Sequence, residues 1–362
     1  MQKVKNIIAS PSPLVSVLMS VYNGERYLSQ AITSILNQSF GEFEFIIIDD
    51  GSKDTSWEIL TQAADQDTRI RLLRNDSNLG LPKSLNRGLA QVKGAYIARM
   101  DADDVSHPER LAKELILLES TPSLVLVGSS YLIIDENGQT IKKECHSVDD
   151  TSIRWHMLFH NSFCHSAVMM RADVLASYGL SYNEECRYAQ DYELWSRLMD
   201  HGSVANCEEP LISYRLHDSN QGRNFYLEQQ EIATSIAIAN VGKLGIQVSQ
   251  KEMANLRDLF HSRLTNIRSI DLHSYYLLLL ILSRFSRCKL VNRIKLAFIR
   301  LHLFREVVHL KQCKMSGIEI AKIAWEIFFI DMWSFIFAAC LTALNKAGSI
   351  LQERPRHVEG GY

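Results

Sequence analysis

The densest chemistry in the chain is Asp101-Ala102-Asp103-Asp104. It follows an apolar run, Ala95-Tyr96-Ile97-Ala98, that reads as a strand. Carboxylates one residue apart at a strand end can share one hard cation. Magnesium and manganese take oxygen ligands and keep substrate phosphates in their shell, so such a cation would neutralise a diphosphate. The competing reading is a loop whose aspartates cap the next helix, since Asp is favoured at N-caps.

Two more polar clusters end apolar runs. Leu14-Val15-Ser16-Val17-Leu18-Met19-Ser20-Val21 stops at Tyr22-Asn23-Gly24-Glu25, and Phe43-Glu44-Phe45-Ile46-Ile47-Ile48 stops at Asp49-Asp50-Gly51-Ser52. Each alone suits a solvated turn. Three together, at three strand ends, point to a site. Asp50 is placed to accept from a uracil N–H or from ribose hydroxyls.

The elements that must position these groups alternate. Apolar residues Leu28, Ile32, Ile35 and Leu36 have helical spacing after the first strand. A helix towards Ala64, capped by Asp54 or Thr55, follows the second. Residues 70–73 form a third strand, residues 82–91 a helix with Pro82 in its first turn, and residues 124–127 a fifth strand. Asp135-Glu136-Asn137-Gly138-Gln139 signals a hairpin between residues 131–134 and 140–142. Such a βα alternation predicts an α/β fold with a mainly parallel sheet, whose ligands bind beyond the carboxyl ends of the strands.

Composition narrows the classes. The 362 residues suit about two domains, and 46% hydrophobic with 22% charged residues is ordinary for a globular chain. The net charge of -2 gives no electrostatic case for nucleic acid. Seven scattered cysteines have no zinc spacing, and their odd number suits reduced thiols. Residues 1–13 carry no long apolar stretch, so no signal peptide is expected. There is no Gly-x-Gly-x-x-Gly and no Gly-Lys-Ser/Thr loop, so a dinucleotide or phosphate-loop cradle is missing and the carboxylates must hold the diphosphate through a metal.

With these motifs in order, the chain resembles family 2 glycosyltransferases of the A-type fold and bacterial surface-polysaccharide type. The likeness rests on residues 15–24, residues 46–55, Asn78-Leu79-Gly80-Leu81 and residues 96–104, and it extends over about residues 14–220. It implies a mixed, mainly parallel Rossmann-like sheet flanked by helices. It also implies roles. Tyr22, Asn23 and Glu25 would line the nucleoside pocket, and Asp50 would contact the base. Asn78 and Gly80 belong to a donor-binding loop. Arg99 and Asp101 would hold ribose or donor sugar and diphosphate, and Asp103 would ligate Mn2+ or Mg2+. Gln190-Asp191-Tyr192-Glu193-Leu194-Trp195 resembles the family's Glu-Asp-Tyr-x-Leu-Trp helix start, which makes Asp191 the catalytic base. Gln190 departs from the usual Glu and removes a charge beside that base. Asp191 as an N-cap is the competing reading. Tyr214-Arg215-Leu216-His217 is similar to the family's Tyr-Arg-x-His, so His217 would complete the metal or diphosphate site, and residues 218–223 read as a loop that closes over the donor. His165 reads as a satisfied core histidine on the acceptor side.

The expected division is an N-terminal extension at 1–13, a catalytic domain at 14–224 (nucleotide half 14–104, acceptor half 105–224) and a helical region at 225–362. The last region is apolar at 273–282 and 327–341 and basic between 284 and 314. A basic amphipathic helix suits an anionic membrane surface, and a bundle face or an oligomer interface fits the same pattern. The expectation is a metal-dependent, inverting glycosyltransferase. It would work in the cytoplasm at the inner membrane face, on a UDP-sugar by preference, with a glycan or lipid-linked acceptor. Two rivals remain at this point: a nucleotidyltransferase, which would want a basic Gly-rich loop where Tyr22-Asn23-Gly24-Glu25 stands, and a nucleotide-sugar-binding scaffold without turnover.

Overall fold

The computed structural model describes residues 13–218, 225–261 and 272–285. Its strands are β1 (Val15–Val21), β2 (Phe43–Asp49), β3 (Ile70–Arg74), β4 (Tyr96–Asp101), β5 (Val105–Ser106), β6 (Leu124–Ile134), β7 (Thr140–Glu144), β8 (Met169–Arg171) and β9 (Ser203–Arg215). Its helices are α1 (Leu28–Leu36), α2 (Ser56–Gln66), α3 (Leu81–Leu89), α4 (Arg110–Ser120), α5 (Asp150–His156), α6 (Ala172–Tyr178), α7 (Gln190–Leu198), α8 (Tyr226–Gly242), α9 (Gln250–His261) and α10 (Leu272–Phe285).

One sheet runs β3-β2-β1-β4-β8-β6-β9-β5, with β7 added beside β6. β3, β2, β1 and β4 are parallel neighbours. β8 is antiparallel to both β4 and β6, while β6 and β9 are parallel. The sheet is therefore mixed, as expected. The strand seen at residues 124–127 continues without a break to Ile134 and includes the first arm of the hairpin with β7.

Strand residues alternate between two apolar layers, which is why β1 and β2 are apolar throughout. Val17, Met19, Phe45 and Ile47 join Ile32 of α1, Leu60 of α2 and Leu111 of α4. Leu18, Ile46 and Ile48 join Leu85 of α3, Trp195 and Leu198 of α7, and Ile236 of α8. Each such side chain contributes roughly 1.5–3 kcal/mol by leaving water.

Register levels the functional ends. Val21 faces Asp49, Asp49 faces Arg74, and Ser20 faces Asp101. A buried ion pair fixes the last of these ends. Arg110 pairs with Glu114 one turn along α4, and its Nη2 donates to the carbonyls of Arg99 (2.8 Å) and Val168 (3.1 Å). Burial pushes the Glu114 carboxyl up to about 7, against the pull of Arg110.

The chain divides into two compact units, Met1–Asp258 and Leu259–Tyr362. In the first, α8 and α9 brace the preceding domain through side chains. Asn240 Nδ2 donates to the carbonyl of Met157 (2.8 Å) and to Ser196 Oγ (2.9 Å), and Lys243 Nζ donates to the carbonyl of Ser196 (2.8 Å). Buried Arg257 donates to the carbonyl of Phe159 and to Gln230 Oε1. In the second, α10 buries Leu277, Leu278, Ile281, Leu282 and Phe285 along one helical stripe. Among the described residues no helix is long and apolar enough to cross a membrane. The basic stretch beyond Phe285 and the apolar run at 327–341, on which the membrane and oligomer expectations rest, lie outside the described residues.

Candidate functional site

The loops after β1 and β2 are tied together before any ligand arrives. Asn23 takes a left-handed φ of 50°, a conformation Asn tolerates better than most residues. Its N–H donates to Ser52 Oγ (3.0 Å), and its Oδ1 accepts from the Lys53 N–H (2.9 Å). Gly24 N–H reaches Ser56 Oγ, Glu25 N–H reaches Asp54 Oδ2, and Glu25 Oε2 accepts from both the N–H and the hydroxyl of Thr55. Asn23 and Glu25 thus stitch one strand end to its neighbour. Tyr22 stands beside them, 43% exposed.

Asp50 performs the same service for the loop after β3. It is buried, and its carboxylate accepts from Asn75 Nδ2 (2.7 Å), Leu79 N–H (2.8 Å) and Gly80 N–H (2.9 Å). With three of its lone pairs used, it keeps one. Gly80 has φ 92°, and Gly51 has φ 71° with a Cβ position only 2.6 Å from the Ser77 backbone, so both conformations require glycine. Asn78 lies exposed between them.

At the end of β4 the carboxylates have separate partners. Arg99 is fully buried and its Nη2 donates to Asp101, while its Nε and Nη1 are buried with no hydrogen-bond partner. Burial would raise the Asp101 carboxyl, but the Arg99 guanidinium beside it wins and holds it below the usual range. Asp101 is itself the last residue of β4, so the strand runs three residues past the apolar run that ends at Ala98. Asp104 is buried and accepts from Ser166 Oγ and from the Arg215 N–H (2.9 Å). Its own burial, with the charges of Asp103 and Asp101, pushes it well above a normal carboxylate.

Asp103 and His217 meet, with Oδ2 and Nε2 2.9 Å apart. They lie 114 residues apart in the chain, and a side-chain clamp brings them together. Arg215 Nε donates to the Asp103 carbonyl (2.9 Å), and its Nη2 donates to Gln30 Oε1 (2.6 Å). The Tyr27 ring contacts both the Arg215 guanidinium (4.5 Å) and the His217 ring (5.1 Å). A metal fits this donor set. Asp101 and Asp104 are engaged elsewhere, so Asp103, with His217 beside it, is the donor set an ion would meet. Among the described residues no group of three or more His, Cys, Asp or Glu side chains encloses an ion. Cations that finish their shell with substrate phosphates need no more than one or two protein ligands.

The third part of the site lies at the start of α7. Ala189 is the N-cap, so Asp191 is a residue of the helix itself and not its cap. Its Oδ1 accepts from the Tyr192 N–H (2.8 Å) and its Oδ2 from Asn161 Nδ2 (2.7 Å). Burial pushes the Asp191 carboxyl up to about 6, with Asp101 adding to the effect and Arg99 opposing it. Glu193, the other acid of this turn, is bound to Arg197. His165 Nε2 lies 3.1 Å from Tyr182 Oη, and Trp195 packs against both rings. His165 is satisfied as expected, yet burial and then Arg99 press it down to about 3, which places it beside the β4 cluster as a neutral ring.

Arg99, Asp101 and Asp191 are thus electrostatic neighbours, Asp103 sits with His217, and the Tyr22 to Glu25 and Asp50 to Gly80 groups form one linked edge. Sequence reading missed Asn161, Tyr182 and the Arg215 clamp. Asn161-Ser162-Phe163 carries no periodic signal, and the partner of Asn161 is thirty residues away.

A profile of the family described as Glycosyl transferase family 2 matches residues 16–179. An uncharacterized glycosyltransferase of Haemophilus influenzae is 33% identical over 320 residues, covering 83% of this chain and 94% of that protein. The O-antigen biosynthesis glycosyltransferase WbnJ of Escherichia coli is 33% identical over 57% of this chain and 81% of its own length. The amylovoran biosynthesis glycosyltransferase AmsE of Erwinia amylovora is 33% identical over 56% of this chain and 76% of its own. In fold, the chain resembles S. aureus TarS 1-349 in complex with UDP-GlcNAc, with a TM-score of 0.53 at 17% identity over 75% of this chain and 80% of that one.

Proposed function

This chain belongs to glycosyl transferase family 2 and is a glycosyltransferase, and on that premise we propose that it moves a sugar from a nucleotide-diphosphate donor to a hydroxyl of a glycan or lipid-linked acceptor. UDP-sugars are the favoured donors. Surface-polysaccharide assembly is the favoured setting, because relatives over more than half the chain are named for amylovoran and O-antigen biosynthesis.

The observation that carries this reading is the division of labour around β4. Arg99 holds two buried nitrogens, Nε and Nη1, without partners, which suits an anion or the hydroxyls of a sugar. Asp103 and His217 offer two metal ligands, and Asp191 keeps a free lone pair on each oxygen. The single lone pair left on Asp50 suits one N–H of a uracil. Mn2+ or Mg2+ bound at Asp103 and His217 would offset the charge that grows on the departing diphosphate.

The acceptor hydroxyl attacks the anomeric carbon from the face opposite the diphosphate. Its oxygen bonds to that carbon as the bond from carbon to the phosphate oxygen breaks, and its proton passes to Asp191. One displacement inverts the configuration. A base with a pKa near 6 is ionised at neutral pH and still basic enough to help. The neutral His165 beside Arg99 leaves that cation's charge undiluted.

The test is nucleoside diphosphate release from a panel of UDP-, GDP- and dTDP-sugars with mixed glycan and lipid acceptors, in manganese, magnesium or chelator. Release from one donor class, lost in chelator, is the expected result. Release that persists in chelator removes the metal from the mechanism, and donor binding without release removes the transfer.

A further inference from the structure

We propose that Asn161 is a positioning residue, fixing the orientation of the Asp191 carboxylate and stabilising its ionised form for proton abstraction. The inference rests on Asp191 being the base.

Three observations carry it. First, the amide can face only one way. Asn161 Oδ1 accepts from the Phe163 N–H (3.1 Å), so the Nδ2 end points to Asp191 Oδ2, at 2.7 Å. A reversed amide would place oxygen against carboxylate.

Second, the loop holding Asn161 is anchored on both sides by bonds to other elements. The carbonyl of Met157 accepts from Tyr192 Oη (2.9 Å) and from Asn240 Nδ2 (2.8 Å). The carbonyl of Phe159 accepts from Arg257, and that of Ser162 from Asn206 Nδ2 (3.2 Å). Tyr192 follows Asp191 on α7, so its hydroxyl ties the loop directly to the turn that carries the base.

Third, the electrostatic surroundings make a neutral donor the useful partner. Asp191 is faced by Asp101 and Arg99 from β4, by Tyr182 from the segment before α7, and by the N–H of Tyr192. Burial and the Asp101 charge both disfavour ionisation. A hydrogen bond to the ionised form opposes them. A lysine or arginine at the same place would go further and leave too weak a base at neutral pH. An amide supplies the donor without the charge, and it uses one lone pair of Oδ2 and leaves the other for the acceptor.

The experiment compares the pH profiles of kcat for wild type, Asn161→Ala, Asn161→Asp and Asp191→Asn, with the nucleotide sugar that the wild type turns over. UDP binding by calorimetry confirms that each variant keeps its donor site. Asn161→Ala should move the acid limb up by roughly one pH unit, and Asn161→Asp, which sets a second carboxylate against the first, should move it further. The kcat deficit should shrink at high pH, and the donor KM should stay within about twofold. A purely structural loss would lower kcat equally at every pH. An unmoved acid limb in both Asn161 variants, with Asp191→Asn inactive, overturns the inference and leaves the base in place. Full turnover by Asp191→Asn overturns the base assignment, and the inference with it.

A second readout needs no turnover. The difference in Tm between the Asp191 chain and its Asp191→Asn counterpart, followed against pH, changes across the range in which Asp191 titrates. In the Asn161→Ala background that range should extend upward. An unchanged range counts against the inference as firmly as an unmoved acid limb does.

Discussion

The donor edge and the base pocket are built on opposite plans. At the donor edge, Asn23, Glu25 and Asp50 spend their side chains on backbone N–H groups of the adjoining loops, within about thirty residues of chain. Glu25 is exposed, Asp50 keeps a single lone pair, and the result is a rigid shelf. In the base pocket, Asp191, His165 and Tyr182 are shifted from their ordinary ionisation by burial, and Arg99 keeps two nitrogens unpaired. That region is held by α8 and α9, which lie beyond the last strand in sequence. The shelf has its geometry settled in advance; the pocket stores electrostatic free energy that stability alone would not select.

Asp191→Asn should break this contrast most sharply. It should cost roughly 10²–10⁴ in kcat, the usual range for a general base. Because the folded pKa is raised, the native state holds its proton more tightly than the unfolded chain does. Stability is therefore lost as pH rises from the unfolded value to about 6, and the ionised carboxylate remains a burden at pH 7. The variant should accordingly raise Tm at pH 7 by ~2–4 °C, and at pH 4 the gain should nearly vanish. A Tm that falls at pH 7 would mean the pocket is not strained. Next in size, Asp103→Ala and His217→Ala should each lower turnover by roughly 10²-fold, partly restored by raised manganese, if the pair holds the ion that offsets the leaving charge. Equal loss at every metal concentration would assign the pair to the fold.

The same contrast explains what the sequence made legible. The donor edge was readable because its parts sit at strand ends, where apolar runs stop at Tyr22-Asn23, Asp49-Asp50 and Asp101. Asp103 with His217, and the helix bearing Asp191, were readable through family likeness. The pocket's supports were not. The bond from Asn161 to Asp191 and those from Asn240 and Arg257 to the 157–161 loop join residues whose types and local patterns are ordinary, and only tertiary packing brings them together. Residues 226–241 and 251–264 read simply as helices, with no sign that Asn240 and Arg257 would hold the loop beside the base.

On the shelf, the sharpening test is Gly51→Ala. The left-handed φ and the 2.6 Å approach to Ser77 force the two loops apart, at a cost of about 1–3 kcal/mol. The donor KM should rise roughly tenfold while the acid limb of kcat stays where it is, since nothing near Asp191 has moved. A shifted acid limb would show that shelf and pocket are mechanically one body.

The smallest effect expected is that of Asn240→Leu, and it asks the converse question. The substitution removes the donors to the Met157 carbonyl and to Ser196 Oγ inside a buried contact, and should cost about 1–3 kcal/mol of stability. Tyr192 Oη still holds the Met157 carbonyl, so the loop should keep its place most of the time. The kcat should therefore fall only about threefold, with the donor KM unchanged, because the disturbance reaches the base and not the shelf. A larger rise in donor KM than fall in kcat would show that α8 serves the donor edge as much as the pocket, and the two plans would no longer be separate.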